Sequence, residues 1–187
     1  MDFSTTSIEG LLQFSTAPHR DERGYFCRTF DAEVIRAAGL DPADFVQDSL
    51  SRSRRGVVRG MHVRTGRGEA KLVRCSYGRI FDVVVDLRPD SHTYLTQATF
   101  ILDGDQQGSI YVPPGCAHGF QALTDVADTS YRIDRPHDPA EALAIAHDDP
   151  DLAIAWPLPV GVMSETDRAA RPLSELGSEL ARIGIAA

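Results

Sequence analysis

Residues 59 to 75 read RGMHVRTGRGEAKLVRC and concentrate groups that move protons and bind anions. His62 is of the side-chain type that titrates near neutrality, which suits a general base. Arg59 and Arg64 carry planar guanidinium groups suited to paired contacts with phosphate. Lys71 is a compact positive charge of the kind that stabilises a developing enolate oxygen. Glu69 stands between them in the chain. Two chemistries fit this set. One is a metal site, and the other is a metal-free proton-transfer site for an anionic substrate.

The metal reading starts from spacing. Alternate strand residues point the same way, so a His-x-His segment aims two imidazoles into one cavity. In small β-barrels of the cupin class, such a pair, a following glutamate and a distant Pro-x-Gly-x-x-His segment build a metal site. Here His62 is followed by Val63 and Arg64, Glu69 keeps the glutamate spacing, and PPGCAH supplies the distant part, ending in His118. The pattern argues for the barrel. Arg64 argues against the metal, because a guanidinium beside a divalent cation is repulsive. Two histidines and one glutamate would remain as ligands.

The elements around these residues are mostly strands. KLVRCSYG and IFDVVVDLR are rich in β-formers and joined at a glycine. QATFILDGDQQGSIYVPPG reads as strand, turn and strand, and GFQALTDVADTSYRI as two strands about a turn at Thr124 to Asp128. Spacing near ten residues predicts an antiparallel sandwich or barrel. Asp31 to Leu40 predicts a short helix with an aspartate cap, Ser164 to Ala170 a capped helical turn, and LSELGSELARIG a C-terminal helix.

Composition sets the outer bounds. The 187 residues, 42% of them hydrophobic, fit a single domain over 1–187 with a packed core. A net charge of −8 argues against a nucleic-acid partner. The start, MDFSTTSIEGLLQF, lacks the features of a signal peptide, and no apolar run approaches a membrane span. A cytoplasmic protein without a membrane partner is the expectation. Cys27, Cys75 and Cys116 have no CxxC spacing and are expected to be plain thiols.

The segments FVQDSLSRSRRGVVRGMH, KLVRCSYGRIFDVVVDLRPDS, YVPPGCAHGF, DDPDLAIAWP and MSETDRAARPL, with DERGYF near residue 21, stand in an order that resembles the dTDP-4-dehydrorhamnose 3,5-epimerase family. The resemblance runs from about residue 8 to residue 173. It implies an all-β, cupin-like jelly-roll barrel with a few short peripheral helices, a homodimer, and no metal or cofactor. It also implies epimerisation beside the ketone of a nucleotide-linked 4-keto-6-deoxy sugar such as dTDP-4-keto-6-deoxyglucose, in deoxysugar biosynthesis.

Carried over by position, the resemblance makes His62 the proton acceptor, Asp167 its orienting partner, Tyr131 the proton donor and Lys71 the enolate stabiliser. Arg23, Gln47, Ser49, Arg59 and His118 fall where the family binds nucleotide, diphosphate or sugar. Arg28 and Arg64 belong to the same substrate-contacting set, but stand where a glutamate and a glutamine are typical. Thr166 replaces a common lysine, His147 a common tryptophan, and His137 lies near the usual base-stacking aromatic. The resemblance thus speaks to reaction type and leaves open the base, the sugar, and whether C3, C5 or both are inverted. A sugar-nucleotide 3,4-ketoisomerase and a non-catalytic sugar-nucleotide-binding cupin are the alternatives. The extended N-terminal segment FSTTSIEGLLQFSTAP is expected to reach a partner's active site.

Overall fold

Alternating burial along the strands sorts the chain into two facing sheets. The structure is a computed structural model describing residues 1–183. Strands β1 (Asp2–Thr5), β2 (Leu12–Ser15), β3 (His19–Asp21) and β4 (Gly24–Phe26) precede helix α1 (Ala32–Ala37). Then follow β5 (Gln47–Arg54), β6 (Val58–Arg64), β7 (Lys71–Tyr77), β8 (Arg79–Asp86) and β9 (Gln97–Asp103). The strands end with β10 (Ser109–Val112), β11 (Cys116–Ala122), β12 (Val126–Ile133) and β13 (Ala142–Ala144), before the short helices α2 (Glu165–Arg168) and α3 (Gly177–Leu180).

The large sheet has the order β1-β2-β10-β7-β12-β5, and the small one β13-β6-β11-β8-β9, with β3 and β4 a separate hairpin. Every strand pair is antiparallel. This is the expected jelly-roll sandwich. The expected strand, turn and strand over residues 97 to 112 are present. The segments before and after Gly104 to Gly108 do not form a hairpin, because β9 edges the small sheet and β10 lies inside the large one. The same holds for β11 and β12. Sequence neighbours therefore face each other across the core instead of pairing.

Between the sheets lies a core of Val73, Cys75, Ile110 and Ala127 from one side and Ile80, Val84, Cys116 and Phe120 from the other. A second cluster, including Met61, Val63, Val83 and Ala117, backs the small sheet and is covered by Ile145, Leu152, Leu173 and Leu176. Burial pushes the Cys75 and Cys116 thiols up to about 12, which leaves them as inert packing groups. The N-terminal segment does not stand free. β2 pairs with β10, and Leu12 and Phe14 pack with Ile35 of α1, because apolar side chains at alternate positions give it a buried face in its own sheet.

Both expected caps form. Asp31 accepts from the Glu33 and Val34 amides at the start of α1, and Ser164 Oγ accepts from the Asp167 amide at 3.0 Å. The expected C-terminal helix is broken. Leu173–Glu175 make one 3-10 turn and α3 runs only from Gly177 to Leu180, since Gly177 is a poor continuation for a helix. The end of the expected helix, from Gly184, lies outside the described residues. Among the described residues, no helix is long and apolar enough to cross a membrane.

Candidate active site

A bulge in β6 decides which side chains face the space between the sheets. Strict alternation would put Arg59 and His62 on opposite faces. In the observed register His62 lies opposite His118 and Arg59 opposite Phe120, so β6 spends three residue steps where β11 spends two. The additional residue lies at Gly60–Met61. Gly60 has φ +129, and a Cβ there would come within 2.5 Å of Gly119 Cα, so only glycine fits the close crossing. Arg59 and His62 both turn inward as a result, and Arg64 follows His62 by alternation.

His62 meets a carboxylate carried by a different element. Its Nε2 lies 2.6 Å from Asp167 Oδ1, at the first turn of α2. The Asp167 side chain is 4% exposed, while that of His62 is 46% exposed. Burial alone would push Asp167 up, but the His62 ring, the Ser164 hydroxyl and the Gly60 amide together hold it below the usual carboxylate range. An ionised Asp167 fixes the Nε2–H tautomer and leaves Nδ1 of His62 as a free proton acceptor.

Glu69 gathers the basic residues. Its Oε2 accepts from Arg64 Nε at 2.9 Å, and its Oε1 lies 3.3 Å from Lys71 Nζ. Arg64 also donates to the Asp138 carbonyl and to His137 Nδ1. Both Glu69 oxygens thus serve cations of the protein itself. Occupation by two cations does not suit a metal ligand. Among the described residues, no group of three His, Cys, Asp or Glu is placed to hold a metal ion. His62, Arg64, Glu69, Lys71, His137 and Thr166 line one cavity of about 270 Å³.

Across the interior, the large sheet presents Tyr131 on β12, between Ser49 on β5 and Val73 on β7. Burial pushes the Tyr131 phenol up to about 12, and its hydroxyl lies 3.4 Å from Ser51 Oγ. The Tyr131 ring meets the His118 ring edge to face, with centroids 6.4 Å apart. His118 in turn bonds through Nε2 to Asp82 Oδ2 at 2.9 Å. Asp82 and Ser51 are site residues that sequence reading missed. Asp82 left a signal, a single charge inside the apolar run IFDVVV, whereas Ser51 in a serine- and arginine-rich strand left none.

Gln47, Ser49, Ser51 and Ser53 alternate along the inner face of β5, a span of roughly 20 Å. Gln47 pairs with Ile133, which pairs with Lys71, so it marks the Lys71 end. Ser53 marks the other end by accepting from Arg59 Nε at 3.0 Å. There an adjoining trough is lined by Arg52, Arg54, Arg55, Arg59 and Asp167. Arg52 itself is paired with Asp128 at 2.7 Å.

Two expected contact residues are not brought to this site by their own chain. Arg23 caps the β3–β4 hairpin, is 89% exposed and pairs with Asp21. Tyr25 anchors that hairpin to the Gly104 carbonyl, beside Tyr77 and roughly 20 Å along β7 from Lys71. Arg28 pairs with Asp31 before α1, which packs on the outer face of the large sheet. His147 stays close to Trp156, which donates to its carbonyl at 2.8 Å.

A family model described as dTDP-4-dehydrorhamnose 3,5-epimerase matches residues 5–175. The dTDP-4-dehydrorhamnose 3,5-epimerase of Methanothermobacter thermautotrophicus is 40% identical over 176 residues, covering 92% of this chain and 95% of its own. A 4-keto-6-deoxy sugar epimerase from the novobiocin biosynthetic gene cluster of Streptomyces spheroides has a similar crystal structure. Its TM-score is 0.92 at 35% identity, over 99% of this chain and 93% of its own. The dTDP-6-deoxy-D-glucose-3,5-epimerase of Legionella pneumophila, solved with dTDP-4-keto-L-rhamnose, gives 0.89 at 36% identity over 96% of each chain. With sequence agreement over most of its length and the same sandwich, the chain belongs to the dTDP-4-dehydrorhamnose 3,5-epimerase family and is a deoxysugar epimerase.

Proposed function

We propose that the protein inverts C3, C5 or both of a nucleotide-linked 4-keto-6-deoxyhexose through an enolate, using only its own side chains. The C4 ketone acidifies the hydrogens on its neighbouring carbons. Nδ1 of His62 takes one of them, and the electron pair moves onto the carbonyl oxygen beside Lys71. Tyr131 delivers a proton to the opposite face as the carbonyl re-forms. Bonds and charges balance, with no oxidant or reductant. The observation that supports this reading is that side chains suited to accept and to donate a proton stand on facing sheets. His62 lies on β6, and Tyr131, with a phenol held protonated by burial, lies on β12.

In this reading the substrate lies along the inner face of β5, with the sugar near Lys71 and the diphosphate near Arg59 and His118. Gln47 and Ser49 contact it between those ends. Arg23 and Arg28 act in a partner's site within a homodimer, which accounts for their position away from their own. The exposed Phe26 on the same hairpin and the exposed Leu50 on the β5 edge strand supply apolar surface for that contact. Free thiols at Cys27, Cys75 and Cys116 suit the reducing cytoplasm.

The test is incubation with dTDP-4-keto-6-deoxyglucose in D2O after exhaustive EDTA treatment, read by NMR. Deuterium at C3 or C5 with inverted configuration is expected. A 3-keto product would make the protein a ketoisomerase. Absence of exchange would make it a binding module, and exchange restored only by added metal would make it a metal enzyme.

A further inference from the structure

Arg64, Glu69 and Lys71 form an uneven set, two cations on one carboxylate. All three side chains are nearly buried, at 10%, 9% and 11% exposure. Burial alone would raise Glu69, but the Lys71 and Arg64 charges bring it below the ordinary carboxylate range, so it is ionised. One positive charge is therefore left in excess in the cavity that His62 also lines.

We propose that Arg64 is a positioning residue for the epimerisation: by competing for Glu69 it keeps Lys71 from being neutralised, and so leaves a cation facing the enolate oxygen. The proposal rests on the reading of Lys71 as the enolate stabiliser. With an uncharged side chain at position 64, Glu69 would have Lys71 alone. Carboxylate and ammonium would then close into a neutral pair, in a nearly buried site where their attraction is strong. The developing oxyanion would face an ion pair in place of a cation. Each nitrogen of Arg64 already has a protein partner, in Glu69, the Asp138 carbonyl and His137. These bonds hold its charge beside Glu69 and Lys71.

Deuterium exchange into dTDP-4-keto-6-deoxyglucose, with kcat and KM separated and melting curves for every variant, decides the matter. Lys71→Met tests the underlying reading. If its kcat stays within about threefold of wild type, Lys71 is not the enolate stabiliser and the proposal falls with it. With Lys71→Met slow, Arg64→Gln is expected to lower kcat about 10 to 100-fold with little change in KM, as expected for loss of a transition-state charge. Arg64→Lys keeps the charge and should stay within about tenfold of wild type. Arg64→Gln/Glu69→Gln removes the competing carboxylate as well, restores the excess charge, and should recover kcat to within about threefold. A folded double variant as slow as Arg64→Gln would mean that Arg64 acts only by fastening residues 137 and 138, and would overturn the proposal. An Arg64→Gln variant within about threefold of wild type would overturn it too.

Discussion

His62 and His118 face each other in the β6–β11 register, and each is hydrogen-bonded to an aspartate through Nε2. The first dyad joins two elements. Asp167 comes from α2, and its carboxylate is also held by the Ser164 hydroxyl and the Gly60 amide. The second lies within one sheet, with Asp82 on β8 next to β11 and its Oδ1 without a partner among the described residues. Their side chains differ most in access, 46% exposure for His62 against 5% for His118. One chemical pair thus does two jobs. Where the imidazole opens onto a cavity, the aspartate orients a ring that is free to act as the proposed base. Where it is nearly buried against the Tyr131 ring, the aspartate holds the side chain in one orientation. Residue type alone does not separate these roles, and burial with the number of other supports does.

The largest expected effect breaks the open dyad. His62→Asn should slow deuterium exchange about 10² to 10⁴-fold at every epimerised carbon, the usual loss for a positioned general base. Its melting temperature should barely move, because Asp167 keeps its other hydrogen bonds. Exchange near the wild-type rate would transfer the base to His118 and erase the contrast between the dyads.

Tyr131→Phe comes next and separates proton removal from inversion. Solvent exchange should persist, with His62 returning a deuteron on its own face, while epimerised product falls most of the way to zero. Loss of both in a folded variant would place the phenol in enolate formation. The pH sign follows from the raised phenol. A tyrosine held at about 12 stabilises the fold while it remains neutral, and that contribution is lost as pH climbs from about 10 toward 12. Ultraviolet titration of wild type against Tyr131→Phe should therefore show no missing phenol near pH 10, only one near pH 12. A missing phenol near pH 10 would mean that the tyrosine is solvated.

The contrast also explains what was readable in advance. The sandwich and both helix caps follow from local patterns, since strand alternation and an Asp or Ser cap act within a few residues. His62, Asp167, Lys71 and Tyr131 were singled out as a set by family resemblance, not by any local pattern, and of these the structure joins His62 to Asp167 directly. Strict alternation hid the bulge that turns Arg59 inward with His62, because that bulge depends on β11 crossing closely over Gly60. The place of β9 and β10 in different sheets was hidden for the same reason, as a turn sequence does not say whether it closes a hairpin or crosses the core. Arg23 and Arg28 matched a motif, but a single chain does not bring them to its own cavity. Asp82 showed only as a charge in an apolar strand, which marks burial without naming a partner.

The last prediction sharpens the sealed dyad, whose effect should appear in stability before it appears in rate. Asp82 is fully buried, and His118 is the one partner of its carboxylate among the described residues. His118→Ala leaves that buried carboxylate without its donor. Breaking a buried pair from one side typically costs about 3 to 5 kcal/mol, which for a chain of this size is a fall of roughly 6 to 20 °C in melting temperature. Adding Asp82→Asn removes the stranded charge. The double variant should therefore melt above His118→Ala alone, even though it carries one more substitution. The same addition to the open dyad, His62→Ala with Asp167→Asn, should give no such recovery, because Asp167 is not stranded when His62 is removed. Differential scanning calorimetry on the two cycles compares them directly. Equal coupling in both would show that exposure does not divide the dyads, and that the roles assigned to them rest on position along β6 and β11 instead.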